Sequence, residues 1–181
     1  MTGSVAGSYQ GYVYFDTDGD SVVDAGEENG TFNFTVTGAP TSISAAAASQ
    51  TIGATIANTV TVNMLDANLA NTPAVAGEFV TISATGTGVV TLAGAALTGA
   101  VASVPGTSAA TASIAFGQFA TGTASFTAAS AAGADTVTIV ITPSIGLQAR
   151  GAVARTVTFT TIANTSSTAI LSTVPAGGNQ S

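Results

Sequence analysis

The feature that most constrains the fold is a series of short segments in which apolar and polar side chains alternate. Residues 58–65 alternate in this way, and residues 135–142 repeat the pattern with Val137, Ile139 and Ile141 on one face. A period of two residues is typical of a β-strand with one buried face. Glycine, proline and asparagine separate the segments, so the chain is predicted to be an all-β sandwich.

Pro40 marks the clearest boundary along the chain, because proline cannot continue a β-ladder and disfavours helix at the residue before it. Before it, residues 10–37 are predicted to form a β-hairpin with a long loop. After it, about seven to nine strand segments have the number and spacing of an immunoglobulin-like sandwich. We therefore expect three parts: a hairpin with a calcium-binding loop (1–39), an immunoglobulin-like sandwich (40–163), and a tail, linker or terminal strand (164–181).

Three stretches lack a clear period. Residues 45–48 and 128–132 are rich in alanine but too short to sustain a helix, so we predict a loop or a single turn at each. Residues 93–111 form either a long surface loop or an extra hairpin built from Leu97, Val101 and Val104. Long loops are uncommon inside compact domains, and both alternatives stay open.

Charge and composition exclude several classes of function. The chain has two basic and nine acidic residues, a net charge of −7, and neither histidine nor cysteine. Zinc sites, disulfides and Ser-His-Asp or Cys-His catalysis lack their residues, and lysine is absent as well. Two arginines cannot neutralise a phosphate backbone, so we expect no nucleic-acid partner. No apolar run is long enough to span a bilayer, so no membrane insertion is expected. The sequence indicates a structural or binding role, not an enzyme.

An acidic segment is the one candidate site. Six of the nine carboxylates fall within residues 16–28, where they repel one another unless a cation neutralises them. Calcium loops of twelve residues supply ligands from positions 1, 3, 5, 7, 9 and 12. Counted from Asp16, every position matches. The predicted ligands are Asp16, Asp18, Asp20, the carbonyl of Val22, Asp24 and Glu27. Calcium is favoured over magnesium, which prefers strict octahedral geometry and retained waters. The alternative is a solvated acidic turn.

The loop departs from the usual helix–loop–helix pattern in two ways. The turn glycine is displaced, with Gly19 at position 4 and Ser21 at position 6, and the flanking segments are strands. We therefore predict an EF-hand-like loop carried by a hairpin. Such a loop would stiffen the protein rather than sense calcium, since no helix pair exists to open.

Two other features have competing interpretations. Two of Asp66, Glu78 and Asp135 could form a catalytic acid–base pair, and Asp66 with Glu78 could form a second calcium site. Turn chemistry explains Asp66 and Asp135 without either role. Tyr9, Tyr12 and Tyr14 could form an exposed platform for carbohydrate or part of a core, and Tyr12 and Tyr14 share one face of the hairpin. Core packing is the favoured interpretation.

Two stretches resemble known bacterial families. The pattern Gly-Tyr-Val-Tyr-Phe-Asp-Thr-Asp-Gly-Asp that starts at Gly11, with Asp-Ala-Gly-Glu-Glu at 24–28, is similar to calcium loops in B-type repeats of bacterial surface adhesins. Residues 59–68 and 75–88, followed by 122–127 and 133–138, resemble immunoglobulin-like repeats of the invasin/intimin kind. The resemblance covers residues 10–160, but 93–111 is longer than such repeats need and charged residues are missing. It implies a repeat of a large extracellular protein at the cell surface, S-layer-like or stalk.

Together these observations predict a structural, non-enzymatic surface module that is rigidified by Ca²⁺. Its expected partners are further copies or neighbouring repeats of the same protein, with glycans as another candidate. One alternative is an adhesin or carbohydrate-binding module. Another is a filament or virion subunit in which a terminal strand at 167–173 completes a neighbour's sheet.

Overall fold

The computed structural model describes residues 6–164, which form twelve strands and two short helical segments. The hairpin consists of β1 (Gly7–Tyr14) and β2 (Asn29–Val36). The sandwich strands are β3 (Ser42–Ala47), β4 (Thr51–Gly53), β5 (Asn58–Leu65), β6 (Phe79–Thr85), β7 (Val90–Ala93), β8 (Leu97–Val101), β9 (Ala110–Ala115), β10 (Thr123–Ser130), β11 (Ala134–Pro143) and β12 (Arg155–Ile162). A 3-10 helix (Phe116–Phe119) precedes β10, and α1 (Ile145–Ala149) precedes β12. The predicted terminal strand at 167–173 lies outside the described residues.

Two sheets make up the sandwich. One has the order β3-β5-β10-β7 and the other the order β4-β12-β11-β6-β9-β8, with only β4 and β12 parallel among the described pairs. The first order matches strands A-B-E-D of an immunoglobulin domain, and β12-β11-β6 match G-F-C. The predicted all-β, immunoglobulin-like sandwich is confirmed. It is extended beyond strand C by the β8–β9 hairpin.

The core lies between the two sheets and follows the predicted alternation. Val60, Val62 and Met64 of β5 are fully buried, as are Val137 and the two isoleucines that follow it on β11. Each fully buried side chain of this kind contributes about 1.5–3 kcal/mol. The outward positions between them hold mainly threonine, which suits a β-strand that faces water.

The two alanine-rich stretches are strands, so the prediction of loops there is wrong. β3 continues through Ala47 and β10 continues through Ser130. Both strands pair with β5, which lies between them in the sheet. This pairing outweighs the low β-propensity of alanine, because β-propensity depends more on structural context than helix propensity does.

Residues 93–111 contain an extra strand. β8 pairs with β9, with a register shift after Thr98. Leu97 packs against the core, whereas Val101 and Val104 are exposed. The extra hairpin is therefore confirmed, although only Leu97 of the three expected side chains anchors it.

The chain enters and leaves the sandwich at opposite ends. β3 begins at Ser42, opposite Leu65, and β12 starts at the same end, where Arg155 Nε donates to the carbonyl of Ile43 at 2.8 Å. β12 ends beside Gly53 of the parallel strand β4. We call the first end the hairpin pole and the second the distal pole. The distal pole comprises β4 and the loops 48–50, 54–57, 86–89, 102–109 and 131–133.

The linker between hairpin and sandwich is held in place by hydrogen bonds. The amide of Gly38 donates to Asp66 Oδ2 at 3.0 Å, and its carbonyl accepts from Thr72 Oγ1 at 2.5 Å. The carbonyl of Pro40 accepts from Arg150 Nε at 2.7 Å. In the described part of the chain, β1 and β2 pair only with each other. The division of the chain into parts at 1–39, 40–163 and 164–181 stays a prediction.

Neither described helical segment is long and apolar enough to cross a bilayer.

Candidate metal centre

The hairpin presents the acidic loop at its tip. β1 and β2 pair in register from Gly7 with Val36 to Tyr14 with Asn29, and Phe15 N donates to the carbonyl of Glu28 at 2.9 Å. This bond closes the neck of the loop, so residues 16–27 form one closed turn. The long loop predicted on this hairpin therefore sits between two antiparallel strands.

The loop folds so that its carboxylates converge in two overlapping groups. In one group, single oxygens of Asp16, Asp18 and Glu27 lie within 4.8 Å of one another, and in the other those of Asp18, Asp20 and Asp24 do so. Asp18 belongs to both groups, and the five predicted carboxylate ligands are all included. These clusters could hold a metal ion, since hard cations such as Ca²⁺ take several oxygen ligands. The carbonyl of Val22 stays a predicted ligand.

Backbone amides hold two of the carboxylates in place. Asp16 accepts from the amides of Gly19 at 2.6 Å and Ser21 at 2.9 Å. Glu27 accepts from the amides of Thr17 at 2.8 Å and Asp24 at 3.1 Å. The bond from Ser21 lowers the pKa of Asp16, and the bond from Thr17 lowers the pKa of Glu27. Both groups are therefore ionised at neutral pH, the form in which they bind cations.

The sharp turn of the loop involves positions 4 and 6, where the sequence departs from the usual calcium-loop pattern. Gly19, at position 4, has φ of 80°, and Ser21, at position 6, has φ of 65°. Position 6 is where calcium loops usually have glycine, because the chain turns sharply there. Ser21 therefore adopts the left-handed backbone expected of that glycine, although a side chain makes this conformation costly.

Glu27 is the best-shielded member of the cluster. It is 8% exposed, whereas the neighbouring Glu28 is exposed and belongs to neither carboxylate group. Tyr14 lies at the neck of the loop, where burial and then the charges of Asp16 and Glu27 raise the pKa of its hydroxyl. The pKa of the Tyr14 hydroxyl therefore responds to the charges of the loop.

Asp66 and Glu78 have separate partners. Asp66 accepts from the amides of Gly38, Asn68 and Ala70. Glu78 accepts from the amide of Val75 at 2.7 Å and forms an ion pair with Arg150. Neither joins a described cluster that could hold a metal. Asp66 is held by backbone amides of its turn, and Glu78 by a backbone amide and an ion pair. The geometry therefore agrees with the interpretation of Asp66 as a turn residue.

The tyrosines of the hairpin lie outside the core, so the prediction of core packing is wrong. Tyr12 is 46% exposed, and its ring centroid is 6.3 Å from that of Tyr14 on the same face. Among residues 6–164, no second sheet packs on this two-stranded hairpin. A carbohydrate platform there stays a prediction.

The opposite, apolar face of the hairpin is larger than the sequence pattern predicts. By the strand register, this face carries Tyr9, Val13, Phe32, Phe34 and Val36, and we call it the hairpin face. The ring of Phe34 lies 5.7 Å from that of Tyr9 and 5.8 Å from that of Phe32. Phe32 covers Gly11, where an added Cβ would lie 2.6 Å from its Cε1. The period-two pattern of β2 predicted the residues that β2 contributes to this face. Which β1 residues lie beside them depends on the pairing of the two strands, which the pattern does not show.

A carboxylate at the distal pole has a purely structural setting. Asp135 is buried and accepts from Ser130 Oγ at 2.5 Å and from the amide of Thr87 at 2.7 Å. Burial raises the pKa of Asp135, but the hydrogen bonds from Ser130, Thr87 and Gly88 outweigh it and lower the pKa overall. The charge therefore fixes the turn between β6 and β7.

Several solved structures match this chain at low similarity, and two of them are described here. A β-glycosidase from Bacteroides vulgatus is 14% identical, with a TM-score of 0.42, over 72% of this chain and 15% of its own. The adhesin InvE of Yersinia pseudotuberculosis is 11% identical, with a TM-score of 0.40, over 87% of this chain and 49% of its own. The chain thus spans less than half the length of either protein, and similarity at this level carries no functional argument. No protein-family profile and no curated protein matches the sequence.

Proposed function

We propose that this chain is a structural, non-enzymatic module of an extracellular surface protein, S-layer-like or stalk, whose hairpin loop is rigidified by Ca²⁺. The observation that carries the proposal is the convergence of Asp16, Asp18 and Glu27 within 4.8 Å, with Asp18 shared by the second group. The ligands would be these three, Asp20, Asp24 and the carbonyl of Val22.

The electrostatics of the loop favour a bound cation. Asp18, Asp20 and Asp24 are exposed and have no opposite charge in their group. Both arginines of the chain lie elsewhere, Arg150 against Glu78 and Arg155 against the carbonyl of Ile43. The mutual repulsion of the carboxylates therefore lacks a counter-charge from the described protein, and a divalent cation would remove it.

A bound ion would act mechanically rather than as a switch. The loop joins two paired strands, and a held linker joins the hairpin to the sandwich. Ca²⁺ that binds only the ordered loop stabilises that order by RT ln(1 + [Ca²⁺]/Kd). Extracellular modules of this kind bind with Kd of about 10⁻⁴–10⁻³ M, which suits an environment rich in calcium.

The direct test is calorimetric titration of the full chain with Ca²⁺, supported by Tb³⁺ luminescence sensitised through Tyr14. Glu27→Gln should weaken binding about tenfold or more, because it removes the charge of the ligand at position 12. Glu28→Gln is the matched control. It makes the same chemical change one residue away, outside both carboxylate groups.

Absence of a binding isotherm at millimolar Ca²⁺ would show that the loop is a solvated acidic turn. Equal weakening by Glu27→Gln and Glu28→Gln would show that only net charge attracts the ion, and would remove the proposed ligand set.

A further inference from the structure

The hairpin carries a polar face on the side opposite the hairpin face. All eight of its side chains are uncharged, and all but one are exposed. By the strand register, we define the polar face as Ser8, Gln10, Tyr12, Tyr14, Asn29, Thr31, Asn33 and Thr35. This side of the hairpin therefore has room for a bulky substituent.

Two Asn-X-Thr sequences lie on this face, Asn29-Gly-Thr31 and Asn33-Phe-Thr35. Asparagine followed two residues later by serine or threonine is the acceptor sequence for N-linked glycans, which are bulky, solubilising and found at surfaces. Because alternate residues of a strand point to the same side, both members of each pair stand on the polar face. Serine and threonine are frequent in this chain, so the choice of a site depends on the structure.

Hydrogen bonds distinguish Asn33 from the other candidate asparagines. Asn29 Nδ2 donates to the carbonyl of Glu27 at 3.2 Å, at the neck of the acidic loop. Asn164, which begins an Asn-Thr-Ser sequence, donates from Nδ2 to the carbonyl of Ala54 at 2.9 Å. The side chain of Asn33 is exposed and has no hydrogen-bond partner within residues 6–164. Its amide nitrogen can therefore carry a saccharide without disturbing a contact that holds the fold. The fourth acceptor sequence, at 179–181, lies outside the described residues.

Tyr12 offers an aromatic surface close to Asn33. It pairs with Thr31, so Asn33 is its diagonal neighbour on the same face, at a distance of about 7–8 Å. The side chain of Tyr12 is 46% exposed. The C–H groups of a sugar ring are slightly positive and pack on the negative face of an aromatic ring. The first sugar attached to Asn33 would therefore lie within reach of Tyr12.

The charge of the chain gives a glycan a physical role. Only two basic and nine acidic residues occur in 181, and six of the acidic ones lie in the loop at 16–28. Soluble proteins usually keep about 25–35% of their surface residues charged. A saccharide on the hairpin would supply hydration that charged side chains supply elsewhere.

We propose that Asn33 is a site of N-linked glycosylation and that the attached saccharide covers the polar face around Tyr12. The proposal rests on the proposed function, because lipid-linked saccharides and their transferases act outside the cytoplasm. In the described part of the chain, β2 pairs only with β1, and neither strand adds a side chain to the core. Such a segment opens at low cost, so a transferase can reach the acceptor sequence.

The modification is a glycosyl transfer from a saccharide carried on a polyprenyl diphosphate. The nitrogen Nδ2 of Asn33 attacks the anomeric carbon of the first sugar, and a C–N bond forms. The bond from that carbon to the phosphate oxygen breaks, the nitrogen gives up one proton, and the polyprenyl diphosphate leaves. The hydroxyl of Thr35 supplies the group that the transferase requires two residues after the asparagine.

The experiment is mass spectrometry of the full chain purified from the cells that produce it. The intact mass should exceed the sequence mass by a glycan, and electron-transfer fragmentation should place the glycan on Asn33. Asn33→Gln and Thr35→Val should lose it, whereas Thr35→Ser should keep it because the hydroxyl remains. Asn68→Gln is the control, since Asn68 is an exposed asparagine outside any acceptor sequence.

Three results would overturn the proposal. One is a wild-type chain without a glycan on Asn33. Another is a glycan found on Asn29 or Asn164 but not on Asn33, which would show that an unused amide does not select the site. The third is a glycan that survives in Thr35→Val, since attachment would then not follow the acceptor sequence.

Chymotrypsin tests whether the glycan covers the polar face. Tyr12 is 46% exposed and Phe116, in the sandwich, is 45% exposed, so the two cleavage sites are matched in accessibility. Loss of the glycan in Asn33→Gln should speed cleavage after Tyr12 several-fold and leave cleavage after Phe116 unchanged. Equal rates after Tyr12 in both proteins would contradict the cover.

Calcium titration of the same samples separates this proposal from the proposed function. A chain that binds Ca²⁺ but carries no glycan on Asn33 overturns the glycosylation and leaves the calcium loop standing. A chain with the glycan whose loop binds no Ca²⁺ removes the calcium loop and supports the glycosylation.

Discussion

Ser21 holds a backbone conformation that usually belongs to glycine. Its φ of 65° costs roughly 1–2 kcal/mol for a residue with a side chain. Ser21→Gly removes this cost from the ordered loop. Because Ca²⁺ would bind only the ordered loop, its Kd should fall about fivefold, as measured by calorimetry. Ala25→Gly adds the same flexibility without a left-handed φ, so it should weaken binding or leave it unchanged. An equal improvement in both variants would contradict the argument.

Asp66 makes the attachment of the hairpin depend on pH. The amide of Gly38, aided by those of Ala70 and Asn68, lowers the pKa of its carboxyl below the ordinary value of about 3.9. The stabilisation is fully present above the ordinary pKa and is lost as the pH falls through the lower pKa of the folded state. The protection factor of the Gly38 amide, taken against its intrinsic exchange rate at each pH, should therefore fall in acid. Asp66→Asn should have a lower protection factor at neutral pH and show no further fall in acid. Unchanged exchange in this variant would remove Asp66 as the clamp.

At the scale of strands, sequence alternation identified the elements whose own side chains determine their place. β5 was predicted to the residue at Asn58–Leu65, and its inward Val60 and Val62 are fully buried. The alanine-rich ends of β3 and β10 could not be predicted, because β5 pairs with both from elsewhere in the chain. The convergence of carboxylates in the loop could be predicted, because the spacing of the ligands lies within one short segment of the sequence. The hairpin face and the distal pole depend on cross-strand register and on long-range connections, which spacing does not encode.

Gly122 joins two elements by close approach. A Cβ at this position would lie 2.5 Å from the amide nitrogen and 2.8 Å from the carbonyl oxygen of Thr72, and its φ is 80°. Gly122→Ala should therefore destabilise the sandwich by about 1–3 kcal/mol, seen as a lower Tm in calorimetry. Gly117→Ala, five residues earlier, meets no atom within 4 Å and has no left-handed φ. It should leave Tm nearly unchanged. A similar loss in both variants would show that Gly122 is not the point of close approach.

The whole molecule combines two units with different sources of stability. The sandwich has a core of large buried side chains such as Phe126 and Ile139. The hairpin adds no side chain to the described core and depends on its linker, its aromatic stack and, in our proposal, on Ca²⁺. Local openings start where few apolar groups are buried. Calcium removal should therefore loosen residues 10–37 while the sandwich stays folded.

The distribution of cleavable residues allows this difference to be measured in one molecule. Glutamyl endopeptidase has three sites, of which Glu27 and Glu28 lie in the loop and Glu78 is buried against Arg150. Trypsin has Arg150 and Arg155, both in the sandwich.

At a calcium concentration ten times its Kd, opening of the loop should fall about elevenfold relative to chelator, since protection scales as 1 + [Ca²⁺]/Kd. Cleavage at Glu27 and Glu28 should slow by that factor, while tryptic cleavage keeps its rate. Equal cleavage of the loop with and without chelator would contradict calcium rigidification, and a tryptic rate that follows calcium would place the stabilised region in the sandwich.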